Sequence, residues 1–315
     1  MSAPLVSTVV LTRDRPESLR RCLGSLRANR YRPLEIVVVD NGSEAGRREA
    51  RDWLAGWGDD PPVKYVECLP DGFAALRQRS YDHADGEFIV SIDDDCEAAE
   101  DMLEHVVRRF QSEPDVGMIG GQLENVGFEG VERFKGRGRL GLNGRYEPVE
   151  DPSVAEVFGS ANQSVRRRAF DAVGGYDPYF SDGMEEADLA LSLRAAGWRI
   201  VHDPAVRVKH FHQPQRFRNR WRNLHRMRLY LVLKHRRPHG TGWFRFAADE
   251  LKLFLGELGG LWTARPRSTA GGAFKRLMRP GVWFLAELWK LISARVTIPW
   301  ICWRASRRVV PAGAR

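Results

Sequence analysis

The 315-residue sequence, 43% hydrophobic and 29% charged, has the composition of a folded chain that buries one large α/β domain with an appendage or two modest domains, which excludes disordered and fibrous classes. Its four cysteines, Cys22, Cys68, Cys96 and Cys302, form no CxxC pair or zinc-spaced cluster, which excludes a disulfide scaffold and fits a reducing, cytoplasmic compartment. The formal charge of +8 hides a split: residues 205–315 hold 24 Lys+Arg and 4 Asp+Glu, so this part is strongly basic and the remainder acidic.

The N-terminal segment lacks a basic stretch followed by a long apolar run, so it is read as a first strand over Val6–Leu11 rather than a signal peptide. The polar turn Thr12-Arg13-Asp14-Arg15-Pro16 leads into a helical pattern through Leu19, Cys22, Leu23 and Leu26. Leu34–Asp40 is a continuous apolar run, typical of a strand covered on both faces, and ends in the turn Asp40-Asn41-Gly42-Ser43. A weaker strand follows at 63–66, a helix after Gly72 to about Ala84, and a buried strand from Glu87 to Ile92 that runs into Asp93-Asp94-Asp95. A helix over 99–111 and a strand over 116–121 come next. Residues 125–152, rich in Gly, Arg and Glu with weak periodicity, read as a mobile loop. Helices at 166–173 and 185–196 flank the turn Gly174-Gly175-Tyr176-Asp177-Pro178.

Strands alternating with helices at this spacing predict βαβ units and a mainly parallel sheet, which binds ligands at the carboxyl edges of its strands. Three strand ends carry Thr12-Arg13-Asp14, Asp40 and Asp93-Asp94-Asp95, so polar groups from distant parts of the chain are expected in one crevice. Asp93 and Asp95, at i and i+2 of an extended chain, share a side, and clustered carboxylates suit Mg²⁺ or Mn²⁺ bridging to a diphosphate. A solvated acidic turn is the alternative.

In their order and spacing, Val9-Val-Leu-Thr-Arg-Asp-Arg-Pro16, Ile36-Val-Val-Val-Asp-Asn-Gly-Ser43, Ser91-Ile-Asp-Asp-Asp95, Gly174-Gly-Tyr-Asp177 and Glu185-Glu-Ala-Asp-Leu189 resemble glycosyltransferase family 2 over about residues 5–213. The resemblance implies a GT-A fold: an α/β, Rossmann-like nucleotide-binding mixed sheet flanked by helices. It implies a nucleotide site built from Thr12, Arg13, Asp14, Asp40, Arg77, Asp93 and Asp94, where Gln78 departs from the more usual Asn. It implies metal ligation by Asp95, Asp93 and His210, His210 fitting the spacing better than His212. The general base falls at Glu186, where the family usually has Asp, with Glu185 and Asp188 as substitutes. On a helix Glu185 and Asp188 share one face and Glu186 points roughly 100° away. The implied activity is inverting transfer of a sugar from a nucleotide-diphosphate donor to the hydroxyl of a saccharide, a lipid-linked or a small-molecule acceptor.

The chain divides on this reading into a catalytic domain at 1–213 and a basic helical extension at 214–315, where seven of the ten tryptophans lie among many arginines. Trp and Arg at helical spacing suit a headgroup zone, predicting interfacial helices on an anionic membrane surface, at the inner face of the cell membrane. Glu287, Lys290, Arg295 and Pro299 interrupt the apolar stretch 281–303 and argue against a spanning helix. A helical subdomain packed on the core is the alternative, and a homo-oligomer is compatible with either. Two other functions stay in view. A nucleotidyltransferase would need a Gly-rich, Lys-bearing N-terminal signature that residues 12–16 lack. A nucleic-acid binder would use the basic extension but leaves the acidic strand ends unexplained.

Overall fold

The computed structural model describes residues 3–127, 136–141, 143–211, 220–235 and 242–263, together with single residues between 289 and 304. Several sequence readings lie outside these: His212, the segment 216–219, most of 281–303, and part of the 125–152 loop. The described residues form two compact units. The larger holds those up to Arg139 and from Tyr146 to Phe211; the smaller holds 140–145 and those after 220.

The larger unit opens with β1 (Val6–Thr12), α1 (Pro16–Arg27), β2 (Leu34–Asp40), α2 (Glu44–Leu54), β3 (Val63–Glu67), α3 (Phe73–Asp82) and β4 (Phe88–Asp93). Every residue of β2 is buried, as its unbroken apolar run requires of a strand covered on both faces. Pro16 opens α1, where its missing N–H costs nothing, and Leu19, Cys22, Leu23 and Leu26 bury one stripe against the sheet core. Ser43 caps α2 by accepting the Gly46 N–H.

After β4 come β5 (Cys96–Ala98), α4 (Met102–Ser112), β6 (Val116–Asn125), β7 (Arg137–Leu140), β8 (Tyr146–Pro148), β9 (Val157–Phe158), β10 (Gln163–Arg166), α5 (Arg167–Ala172), α6 (Glu185–Ala195) and β11 (Arg199–His210). The main sheet runs β3-β2-β1-β4-β10-β6-β11-β5. Its first four strands are parallel, and β10 lies antiparallel between β4 and β6. A small sheet, β8-β7-β9, stands beside it. Gly120 lets β6 pass the Phe158 ring, which lies 2.0 Å from where a Cβ would stand.

Two expectations need correction. The described parts of 125–152 are not all loop: β7 pairs with β9 through Arg137↔Phe158 and Gly138↔Val157, a long-range partnership that leaves no periodic hydrophobic signal. Nor does Asp95 continue an extended strand. β4 ends at Asp93, and Asp94 and Asp95 turn the chain into β5.

The smaller unit contains α7 (Arg220–His235) and α8 (Gly242–Thr263). The run Leu229–Leu233 of α7 is buried. Buried Arg228 holds Glu250 of α8 through two bonds of 2.5 and 2.8 Å. His225 Nε2 stands 3.2 Å from Glu257. No helix among the described residues is long and apolar enough to cross a membrane.

Candidate active site

Parallel register brings the ends of β1, β2 and β4 level: Thr12 stands opposite Asp40, and Leu11 opposite Asp93. Each polar group that follows therefore emerges at one carboxyl edge, where strand ends open a crevice. Asp40 accepts the Gly42 N–H at 2.8 Å and the Tyr65 hydroxyl at 2.7 Å, which fixes its carboxylate while leaving lone pairs for a ligand. Asp14, at φ 53°, accepts both the N–H and the hydroxyl of Ser43 at 2.7 Å; these bonds hold its carboxyl below the usual range. Arg13 is exposed on the same loop.

The three aspartates part company because the chain turns among them. Asp94 accepts the Thr12 hydroxyl at 2.8 Å and a bond from Arg15 at 3.1 Å, yet burial lifts its pKa to about 6. Asp93 faces Arg77, whose Nη2 lies 3.3 Å away. Asp95 faces His210 instead, with 3.2 Å between Oδ1 and Nε2, and Arg15 lies 3.5 Å from its other oxygen.

Arg77, buried on α3, joins two remote parts of the chain. Its Nε donates to Glu185 at 2.9 Å while its Nη2 reaches Asp93, so the strand-end acids and the acidic helix share one guanidinium. Burial opposes the charge on Arg77, but Asp93 and Glu185 hold its pKa above the ordinary value.

At the start of α6, Met184 adopts a left-handed conformation with φ 71°, and Glu185 and Asp188 turn inward at 3% and 2% exposure. Glu186 is only half-buried. Burial, then the neighbouring Glu185 charge, raises the Glu186 pKa well above the usual carboxylate range.

Asp95, Cys96 and His210 form the one group among the described residues with potential ligand atoms all within 4.8 Å of one another. His210 Nδ1 lies 3.2 Å from Asn125 Oδ1, an acceptor, a contact that orients the ring and directs Nε2 at Asp95. Such an oxygen and imidazole pair fits a divalent ion of the Mg²⁺ or Mn²⁺ kind. Burial pushes the Cys96 thiol well up, which favours the protonated, weakly ligating form.

Two participants escaped the sequence reading, and a third, Gln78, was noted only for its departure from Asn. Arg15 sits beside a predicted loop motif and was within reach of it. Asn125 lies 85 residues from His210, and nothing in local pattern signals that pairing. Gln78 accepts the Tyr176 N–H at 2.9 Å and so anchors the Gly174-Gly175-Tyr176 turn, a role that Asn would be a methylene too short to copy.

The family model described as glycosyl transferase family 2 matches residues 7–174, which span the ends of β1, β2 and β4. The chain belongs to glycosyl transferase family 2. The O-antigen biosynthesis protein RfbC of Myxococcus xanthus is 29% identical over 230 residues, covering 68% of this chain but 18% of that protein. The glucosyl-dolichyl phosphate glucuronosyltransferase of Haloferax volcanii is 28% identical over 218 residues, 65% of this chain and 68% of that one. Among solved structures, a mannosyltransferase from Pyrobaculum calidifontis in complex with GDP-Man and Mn²⁺ superposes with a TM-score of 0.59 at 21% identity, covering 95% of this chain and 88% of that one. The fold of this family 2 chain is accordingly GT-A.

Proposed function

We propose that this family 2 chain is an inverting glycosyltransferase that moves a sugar from a nucleotide-diphosphate donor to an acceptor hydroxyl. The observation that carries the reading is Arg77 joining Asp93 to Glu185, because it draws the strand-end crevice and the acidic helix into one site. Thr12, Arg13, Asp14, Asp40, Asp93 and Asp94 form the nucleotide side; Asp95 and His210 hold Mg²⁺ or Mn²⁺. A divalent ion bound there supplies Lewis-acid neutralisation of charge developing on the leaving diphosphate.

Glu186 is the general base. It offers a carboxylate at the half-buried edge of α6, where an acceptor can reach it, whereas Glu185 is committed to Arg77. Proton removal from the acceptor hydroxyl lets its oxygen attack the anomeric carbon on the face opposite the diphosphate, and this single displacement inverts the centre. The O-antigen and dolichyl-phosphate relatives favour a saccharide or lipid-linked saccharide as acceptor. Catalysis resides in residues 1–213, and the basic region 214–315 carries the enzyme to the inner face of the cell membrane.

The deciding experiment measures nucleotide release from a panel of UDP-, GDP- and dTDP-sugars with an acceptor extract, with and without Mn²⁺. Release from one donor class, lost in Asp95→Ala, is expected. Equal release by Asp95→Ala and wild type would remove the metal site, and no release from any donor would remove the transferase reading.

A further inference from the structure

Helix α8 is amphipathic in the reverse sense for a helix packed in a soluble unit. Its carboxylates Glu250 and Glu257 turn inward to Arg228 and His225 of α7. Three of its large apolar residues turn out: Phe244 is 79% exposed, Leu251 57% and Leu255 56%. With exposed Ala248 between them, these residues lie within roughly 60° of arc at the 3.6-residue period, so they form one stripe. Exposed Arg245 and Lys252 stand along one side of that stripe. A second exposed row at helical spacing, Trp289, Ile292, Val296, Trp300 and Trp303, belongs to the same unit. Arg226 and Arg304 stand over the Trp300 ring.

We infer that the outward face of α8 is a docking surface for a lipid bilayer that bears anionic headgroups, with Phe244, Leu251 and Leu255 entering the acyl boundary and Arg245 and Lys252 meeting the phosphates. Charge complementarity selects this occupant. Of the three acids of α8, Glu250 and Glu257 are spent on internal ion pairs, and half-buried Asp249 lies about 140° around the helix from Phe244, so the outward stripe and the rim nearest it offer apolar groups and cations, the pattern of a helix lying in a membrane interface. A second copy would bring the same cationic rim against itself in a two-fold contact. The chain's own segment 264–280 carries five Lys/Arg and no acid, so it too would be repelled. The inference deepens the proposed placement at a membrane surface but is independent of the transferase chemistry.

The test uses the full chain and vesicles of phosphatidylcholine with or without phosphatidylglycerol. Co-sedimentation should be strong only with phosphatidylglycerol present and should weaken as salt rises, because surface ion attraction is screened. The variant F244Q/L251Q/L255Q should lose about tenfold or more in partitioning, as interfacial binding scales with buried apolar area. R245Q/K252Q should flatten the salt dependence. Nucleotide release in vesicle-free solution should be unchanged in both variants, since neither touches the site; this separates loss of docking from failure of the transferase reading. Undiminished vesicle binding by F244Q/L251Q/L255Q would overturn the inference. So would a wild-type dimer in solution that this variant dissociates while no vesicle binding is seen.

Discussion

Arg77 donates to Glu185 at 2.9 Å across 108 residues of sequence, and both side chains are buried. A guanidinium in this position both neutralises a buried carboxylate and fixes the start of α6 relative to β4, where Asp93 accepts from the same group. Breaking a buried pair from one side leaves the other charge uncompensated. Arg77→Ala should therefore cost about 3–5 kcal/mol of stability by denaturant unfolding. Arg77→Lys keeps the charge but lacks the fork, and should keep most of the stability while losing activity. A stable, fully active Arg77→Ala would show that the bridge does not organise the site.

Glu186→Gln removes the proposed base with almost no change in shape. Its kcat should fall by about 10²–10⁴ with little change in donor KM, the range typical of a lost general base. Asp188→Asn should act mainly on stability, because Asp188 is buried. If Glu185→Gln, and not Glu186→Gln, gave the selective loss in kcat, the two roles would be exchanged.

The raised pKa of Glu186 has a sign that kinetics can read. A base works when deprotonated, so kcat should rise with pH, and its acid limb should lie well above the ordinary glutamate value of about 4.3. The limb should vanish in Glu186→Gln. A flat wild-type profile from pH about 5 to 8 would place the titration elsewhere.

Asn125→Ala tests the metal site without touching a proposed ligand. Losing the acceptor at His210 Nδ1 frees the ring, and Mn²⁺ affinity should weaken by about 10–100-fold, measured by metal titration of the protein. His210→Ala should weaken it at least as much. Unchanged affinity in His210→Ala would move the ion away from Asp95 and His210.

In the smaller unit, Glu250→Ala should destabilise by about 3–5 kcal/mol because Arg228 remains buried and unpaired. The double change Arg228→Met with Glu250→Leu should restore much of that loss, since an apolar pair of similar volume needs no partner. Thermal or denaturant unfolding of the three chains decides it.

Much of this molecule was legible in the amino-acid order because its signals are local. An unbroken apolar run marks β2, proline opens α1, Ser43 caps α2, and acids placed directly after such runs must emerge at strand ends. The 100° step of a helix likewise separated Glu186 from Glu185 and Asp188 before any coordinates were needed. What the order of residues could not decide were the partners. Whether Asp93 faces Arg77 while Asp95 faces His210 depends on a turn two residues long. β7 exists because β9 pairs with it, and Asn125 orients His210 because β6 and β11 lie side by side. The inward acids and outward Phe244 of α8 also follow from where α7 placed Arg228 and His225. Propensity and periodicity act over a turn or a strand, whereas these contacts join residues tens to more than a hundred positions apart, and only the closed fold brings them within a hydrogen bond's reach.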